Sequence, residues 1–115
     1  MSSNKKLGSD FEDEVVELMA QNGYWAHRIV PDARGAQPFD VIAVKNDMAV
    51  AIECKTLAET EKYFPISRLE DNQKFAFEYW CKRGNRGAFV AVKWNGAIKF
   101  IPWQELRHKR KVRME

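Results

Sequence analysis

The chain has 115 residues, 45% hydrophobic and 30% charged, ordinary values for a globular protein and enough for one core but not two. No apolar run approaches the roughly 18 residues of a membrane span, and the opening MSSNKK has no apolar stretch after its lysines to make a signal peptide. A single cytoplasmic domain is expected, with residues 1–7 as a polar, disordered lead-in. Cys54 and Cys81 lie far apart in no CxxC or Cys/His spacing and read as reduced, small apolar residues. His27 and His108 are isolated, which leaves a zinc site or a Ser/His/Asp triad without support.

The net charge of +3 is modest, but its location is informative. Between Trp103 and Glu115, five cations (Arg107, Lys109, Arg110, Lys111, Arg113) face only Glu105 and Glu115, and the remaining chain is balanced at 14 of each sign. Such a basic end reads either as a polyanion contact or as a solvated, frayed terminus.

Ser9 followed by Glu12 fits a capping box, and the pattern then predicts a helix from about Asp10 to Asn22, closed by Gly23. At about 100° per residue, Phe11, Val15, Val16, Leu18 and Met19 form an apolar arc, and Glu12 falls inside it. A core-facing carboxylate needs a partner or a metal. As the third residue of a capping box, however, Glu12 would only turn back to the helix start.

Tyr24 to Val30 predicts a strand and residues 31–37 a loop. Pro38 to Lys45 and Met48 to Thr56 then form two apolar runs around Asn46-Asp47, a β-hairpin with a two-residue turn. Counting back from that turn puts Val44 opposite Ala49, Ile42 opposite Ala51 and Asp40 opposite Glu53. Like charges in that relation are destabilising and call for compensation. Lys55, two residues past Glu53, shares its face, and a divalent cation held by carboxylates is the other compensator. Alternatively, the hairpin frays before Asp40 and leaves it solvated.

Leu57 to Ile66 reads as an extended connection broken by Pro65. Ser67 with Glu70 repeats the capping-box pattern and opens a second helix to about Arg83, ended by Gly84. Gln73 interrupts its apolar stripe of Leu69, Ala76, Phe77 and Trp80, either as a hydrogen-bonder to backbone or as a group orienting water or phosphate. Gly87 to Trp94 and Ala97 to Pro102 form a hairpin about Asn95-Gly96. Trp103 to about Val112 is expected to be a short basic helix. The order predicts an α/β fold around a mixed sheet of about five strands, because a helix between sheet strands favours a crossover.

Glu12 on a helix, Asp40 opening one strand, and Glu53-x-Lys55 on the next resemble the PD-(D/E)XK nuclease superfamily. GSDFEDEVVELMAQNGYWAHR is similar to the opening of the archaeal Hjc-type Holliday junction resolvases, and IECKTLAETEKYFPISRLEDNQKFAFEYW to the bacterial RecU type. The likeness covers about residues 7–102. It departs where Phe39 separates Pro38 from Asp40, where Ala33 to Ala36 lacks a serine, and in having no long basic stalk.

The resemblance implies a restriction-endonuclease-like fold and a divalent-metal-dependent endonuclease acting on branched DNA, with a homodimer for two symmetric cuts. A nuclease acting on flaps, ends or duplex DNA, and a non-catalytic DNA-binding module, are the alternatives. It implies Asp40 and Glu53 as Mg²⁺ or Mn²⁺ ligands, joined by the Cys54 backbone carbonyl and, through water, Glu12. Lys55 would orient or activate the attacking water, supported by Gln73. Arg34, Lys62, Arg68 and the terminal Arg107, Lys109, Arg110, Lys111 and Arg113 are candidate phosphate contacts.

Overall fold

A computed structural model of the chain describes residues 3–30 and 37–115, with side chains from Asp10 onward. Its elements in order are α1 (Ser3–Gln21), β1 (Trp25–Arg28), β2 (Val41–Lys45), β3 (Met48–Thr56), β4 (Tyr63–Pro65), α2 (Asp71–Lys82), β5 (Gly87–Trp94), β6 (Ala97–Pro102), α3 (Trp103–Lys109) and β7 (Lys111–Arg113). A five-stranded sheet has the order β1-β2-β3-β5-β6, and β4 pairs with β7 in a separate two-stranded ribbon.

Both hairpins follow from their turns. Asn46 and Asp47 take φ of 50° and 67°, and Asn95 and Gly96 take 52° and 78°. Positive φ at both turn residues is the geometry whose twist matches that of the flanking strands. The β2–β3 register runs Lys45↔Met48, Val44↔Ala49, Ile42↔Ala51 and Val41↔Ile52, as counted back from the turn. Between β3 and β5 the chain crosses over through α2, and those two strands are parallel; their neighbours are antiparallel.

Alternation along the strands builds two cores. Val41, Ala43, Val50, Ile52 and Ala91 meet Phe11 and Val15 of α1. Ala51, Ala88, Val90 and Val92 meet Phe77 of α2 and Trp103 and Leu106 of α3. Glu53 and Lys55 share the parity of Ala51 and so belong to the α2 side.

Three boundaries differ from the sequence reading. First, α1 begins at Ser3 and not near Asp10, so residues 3–7 are its first turns and Ser9 lies inside the helix. Gly8 costs a helix only about 1 kcal/mol and does not stop one already propagating. Second, α2 begins at Asp71 with Glu70 as its N-cap, after a 3₁₀ turn over Ile66–Arg68. Third, the basic end does not continue as helix. Arg110 takes a left-handed φ of 70° and caps α3, and β7 then lays Val112 against Phe64 in register. Val112 and Met114 are buried, so this terminus is anchored and not frayed.

Gly87 opens β5 where a Cβ would lie 2.8 Å from a Val50 methyl and 3.1 Å from the Ala49 carbonyl oxygen. Gly87→Ala is therefore expected to destabilise the fold by roughly 1–3 kcal/mol through overpacking, read as a lower midpoint in urea unfolding with an unchanged slope.

Candidate functional site

The ladder between β2 and β3 ends at a gap. Ile52 gives its carbonyl to the Asp40 N–H at 3.1 Å, and the next backbone donor on that side, Cys54 N–H, meets no strand. It donates at 2.8 Å to Oδ2 of Asp40, whose side chain takes the place of the missing backbone acceptor. A residue in extended conformation sends its N–H and C=O to the same side, so the Cys54 carbonyl also opens toward this gap.

Asp40 and Glu53 meet here at 6% and 4% exposure, the buried charged residues among those described. Each carboxyl is held by a glutamine amide. Gln37 Nε2 donates to Asp40 Oδ1 at 2.6 Å, and Gln73 Nε2 donates to Glu53 Oε2 at 2.6 Å. The other end of Gln73 accepts from the Glu70 N–H at 2.9 Å, so one side chain caps α2 and grips the site. Burial pushes the Glu53 carboxyl up to about 9, reinforced by the charge of Asp40 and a hydrogen bond to it, with Lys55 opposing. Burial and the neighbouring Asp40 thus favour the protonated form of Glu53. Lys55 has no ion-pair partner within 4 Å among the described residues, and it acts on Glu53 through its charge.

Glu12 is half-buried and in the middle of α1, which removes the N3 capping explanation. Instead, Arg28 Nε lies 3.3 Å from Glu12 Oε1, while its Nη1 donates to Asp13 at 2.9 Å. That Nε is buried without an aligned hydrogen bond. Burial raises the Glu12 carboxyl above the ordinary range, Asp40 adds to the rise, and Arg28 opposes it; Glu12 therefore sits within electrostatic reach of Asp40. The Cys54 thiol is pushed up by burial and the same acids, which makes it inert and leaves that residue's backbone as its contribution.

Among the described residues no three of His, Cys, Asp and Glu converge as a closed ligand cluster. The donors are two carboxylates and a carbonyl, all hard oxygens on one side of an open gap. That set suits an ion such as Mg²⁺, which keeps several waters and takes one or two protein carboxylates, and does not suit zinc. The buried like-charged pair, short of a cation, is the feature of this structure that fits a metal.

The candidate phosphate contacts divide. Arg68 Nη2 donates to the Thr56 carbonyl at 2.9 Å, one residue beyond Lys55. Arg107 is spent on Glu78 and Lys109 on Glu105, and Arg110 caps α3. Lys62, Lys111 and Arg113 lie exposed on or beside the β4–β7 ribbon. Arg34 falls outside the described residues. Gln37 and Arg28 were not singled out in the sequence. Arg28 was discernible there, since a period of two puts it with Ala26 on the inward face of β1, but no spacing rule marks Gln37.

A profile of the archaeal Holliday junction resolvase (hjc) family matches residues 3–115. A crossover junction endodeoxyribonuclease Hjc from Methanocaldococcus jannaschii is 28% identical over 101 residues, 88% of this chain and 69% of that protein. The structure of Hjc from Archaeoglobus fulgidus, described as a Holliday junction resolvase from an archaeal hyperthermophile, superposes with a TM-score of 0.66 at 25% identity. That match covers 84% of this chain and 78% of that one.

The acid pair sets a pH dependence. Glu53 is ionised in the unfolded chain above its ordinary 4.5 and protonated in the fold up to about 9. Its contribution to stability is therefore fully present below 4.5 and lost as pH climbs through that interval. In chelator the melting temperature should fall over this range more steeply for the native chain than for Glu53→Gln. Added Mg²⁺ should restore the native chain most at the alkaline end.

Proposed function

The chain belongs to the archaeal Holliday junction resolvase (Hjc) family, and on that footing we propose that it is a divalent-metal-dependent endonuclease cutting phosphodiester bonds in four-way DNA junctions. The observation that carries this reading is the convergence of buried Asp40 and Glu53 at the open end of the β2–β3 hairpin, with Lys55 on the face of Glu53.

Asp40, Glu53 and the Cys54 carbonyl would hold Mg²⁺ or Mn²⁺, and Glu12 would reach it through water. When bound, such an ion polarises the scissile phosphate and acidifies an attacking water. The chain's own groups do the rest. Lys55 presents a cation where negative charge develops and can donate a hydrogen bond that orients the attacking water. Gln73 and Gln37 fix the rotamers of the two carboxyls, so that little reorganisation accompanies the chemistry. Arg28 holds Glu12 against the site. Arg34, Lys62, Arg68, Arg110, Lys111 and Arg113 are proposed to contact DNA phosphates, which position the substrate without reading its sequence.

Two symmetric cuts require two sites, and we infer a homodimer. The surface supports one. Phe75 and Tyr79 of α2 are 70% and 51% exposed and stacked 6.2 Å apart. They border an apolar groove that also includes Ile29, Pro38 and Ile42. Val44 shares the face of Ile42, and exposed Trp25 lies opposite Val44. A self-complementary apolar face of this kind suits a two-fold pairing.

Asp40→Asn should lower Mg²⁺-dependent cutting of a labelled four-way junction by roughly a hundredfold or more while leaving junction binding measurable. Wild-type cutting by that variant would refute the ligand assignment. Selective cutting of flap or linear duplex by the native protein would replace the junction reading. Phe75→Asp, at an exposed position, should sediment as a folded monomer where the native chain sediments as a dimer.

A further inference from the structure

We propose that the β4–β7 ribbon is a preformed platform for the sugar-phosphate backbone of a junction arm, built on Tyr63 and the cations that pack against it. This rests on the junction-cutting reading and assigns that substrate a second surface beyond the metal site.

The ribbon is short, and alternation gives it two unlike faces. Phe64 and Val112 pair across it and are buried in the core, so Tyr63 and Arg113, paired in register, stand on the outer face with Lys111. Lys111 Nζ lies 4.6 Å from the Tyr63 ring centre. The Arg113 guanidinium lies 5.7 Å from it and donates to the Tyr63 hydroxyl at 3.3 Å. Lys99 reaches the Arg113 carbonyl at 3.1 Å, bringing a third cation to the cluster. The acid closest to it, Glu115, is 3.9 Å from Arg113 and exposed, a separation worth little in water.

Lysine and arginine side chains are normally costly to immobilise. Here the aromatic ring holds two of them extended and still charged, so a phosphate contact loses less entropy than it would at free surface cations. The ribbon is also joined to the site. Arg68, next to its C-terminal end, bonds the Thr56 carbonyl immediately after Lys55 and lies over the Phe64 ring at 5.7 Å. From Arg68 the chain runs on into Gln73, which grips Glu53. Arg68 thus links the segment after Lys55 to β4 from the Phe64 side of the ribbon. The chain's surplus charge is concentrated here because Arg107 and Lys109 are neutralised by Glu78 and Glu105.

The test compares Lys111→Gln/Arg113→Gln, which keeps much of the packing against Tyr63, with Lys82→Gln/Arg86→Gln, which removes the same charge at the far end of α2. Binding of a labelled four-way junction is measured in Ca²⁺ across a salt series, and single-turnover cutting in Mg²⁺ at saturating protein. The ribbon variant should bind roughly tenfold more weakly, with the slope of log affinity against log salt reduced by about two. The far-end pair should keep the native affinity and the native slope. A native slope in the ribbon variant, or an equal loss in both pairs, overturns the proposal. Circular dichroism melts confirm that each variant is folded, and Tyr63→Ala, which leaves both charges but removes their support, should weaken binding with the slope retained. If the native protein neither binds nor cuts the junction, the functional reading fails instead, and the two failures are distinct.

Discussion

Two carboxyl groups share one dry gap, and the rest of the molecule is arranged to tolerate that. Burying Asp40 and Glu53 side by side is unfavourable, because burial and the charge of Asp40 both disfavour ionisation of Glu53. Keeping a proton on Glu53 relieves the conflict, and its carboxyl is accordingly raised well above the ordinary range. A bound divalent ion would resolve it differently, by replacing that proton with charge. The two carboxyls thus lower the stability of the fold where they would serve the chemistry, a familiar exchange of stability for function.

What keeps the pair in place is the way β2 stops. Had β2 continued for two more residues, a backbone carbonyl would have met the Cys54 N–H and closed the gap with an ordinary ladder bond. Asp40 ends the ladder with its side chain, leaving one edge of β3 open and the Cys54 carbonyl free to face it. The two glutamines then settle the carboxyl orientations from opposite sides. Gln37 comes from the segment leading into β2, and Gln73 from the first turn of α2. Arg28 completes the enclosure by fastening α1 to β1 beside Asp40. No single element makes the site; it forms where α1, β1, the start of β2, β3 and α2 meet, which the crossover topology enforces.

This explains why the sequence was legible in some places and not in others. The Asn46-Asp47 turn fixes register by local chemistry alone, so the facing of Asp40 and Glu53 could be counted from it. Asn95-Gly96 fixed the second hairpin in the same way. Boundaries that depend on tertiary contacts were not readable. Glu12 looked like a cap residue because Ser9 precedes it by three, yet the helix passes through both. Ser67 and Glu70 looked like another capping box, but the box that forms joins Glu70 to Gln73, whose side chain also reaches Glu53. Arg110 carries none of the glycine or asparagine signals of a left-handed cap, and the burial of Val112 and Met114 imposes that conformation. The basic tail was visible as composition, but which of its cations remained available depended on Glu78, Glu105 and Tyr63, all distant or unremarkable in sequence.

The two faces of α2 connect chemistry to assembly. Its first turn points Gln73 into the acid pair, while Phe75 and Tyr79 look outward from the same twelve-residue rod. A helix is stiff over this length, so a load on its outer face is transmitted to its inner one and is not absorbed by a loop. Pairing through Phe75 and Tyr79 would restrain the helix that positions Gln73, and through it the Glu53 carboxyl. In such an arrangement the lone chain holds its carboxyls less firmly than the paired one, and the tightening needed for chemistry comes with the geometry needed for two symmetric cuts. On the proposed pairing, the physical coupling would lie in one helix that serves as both dimer face and amide clamp.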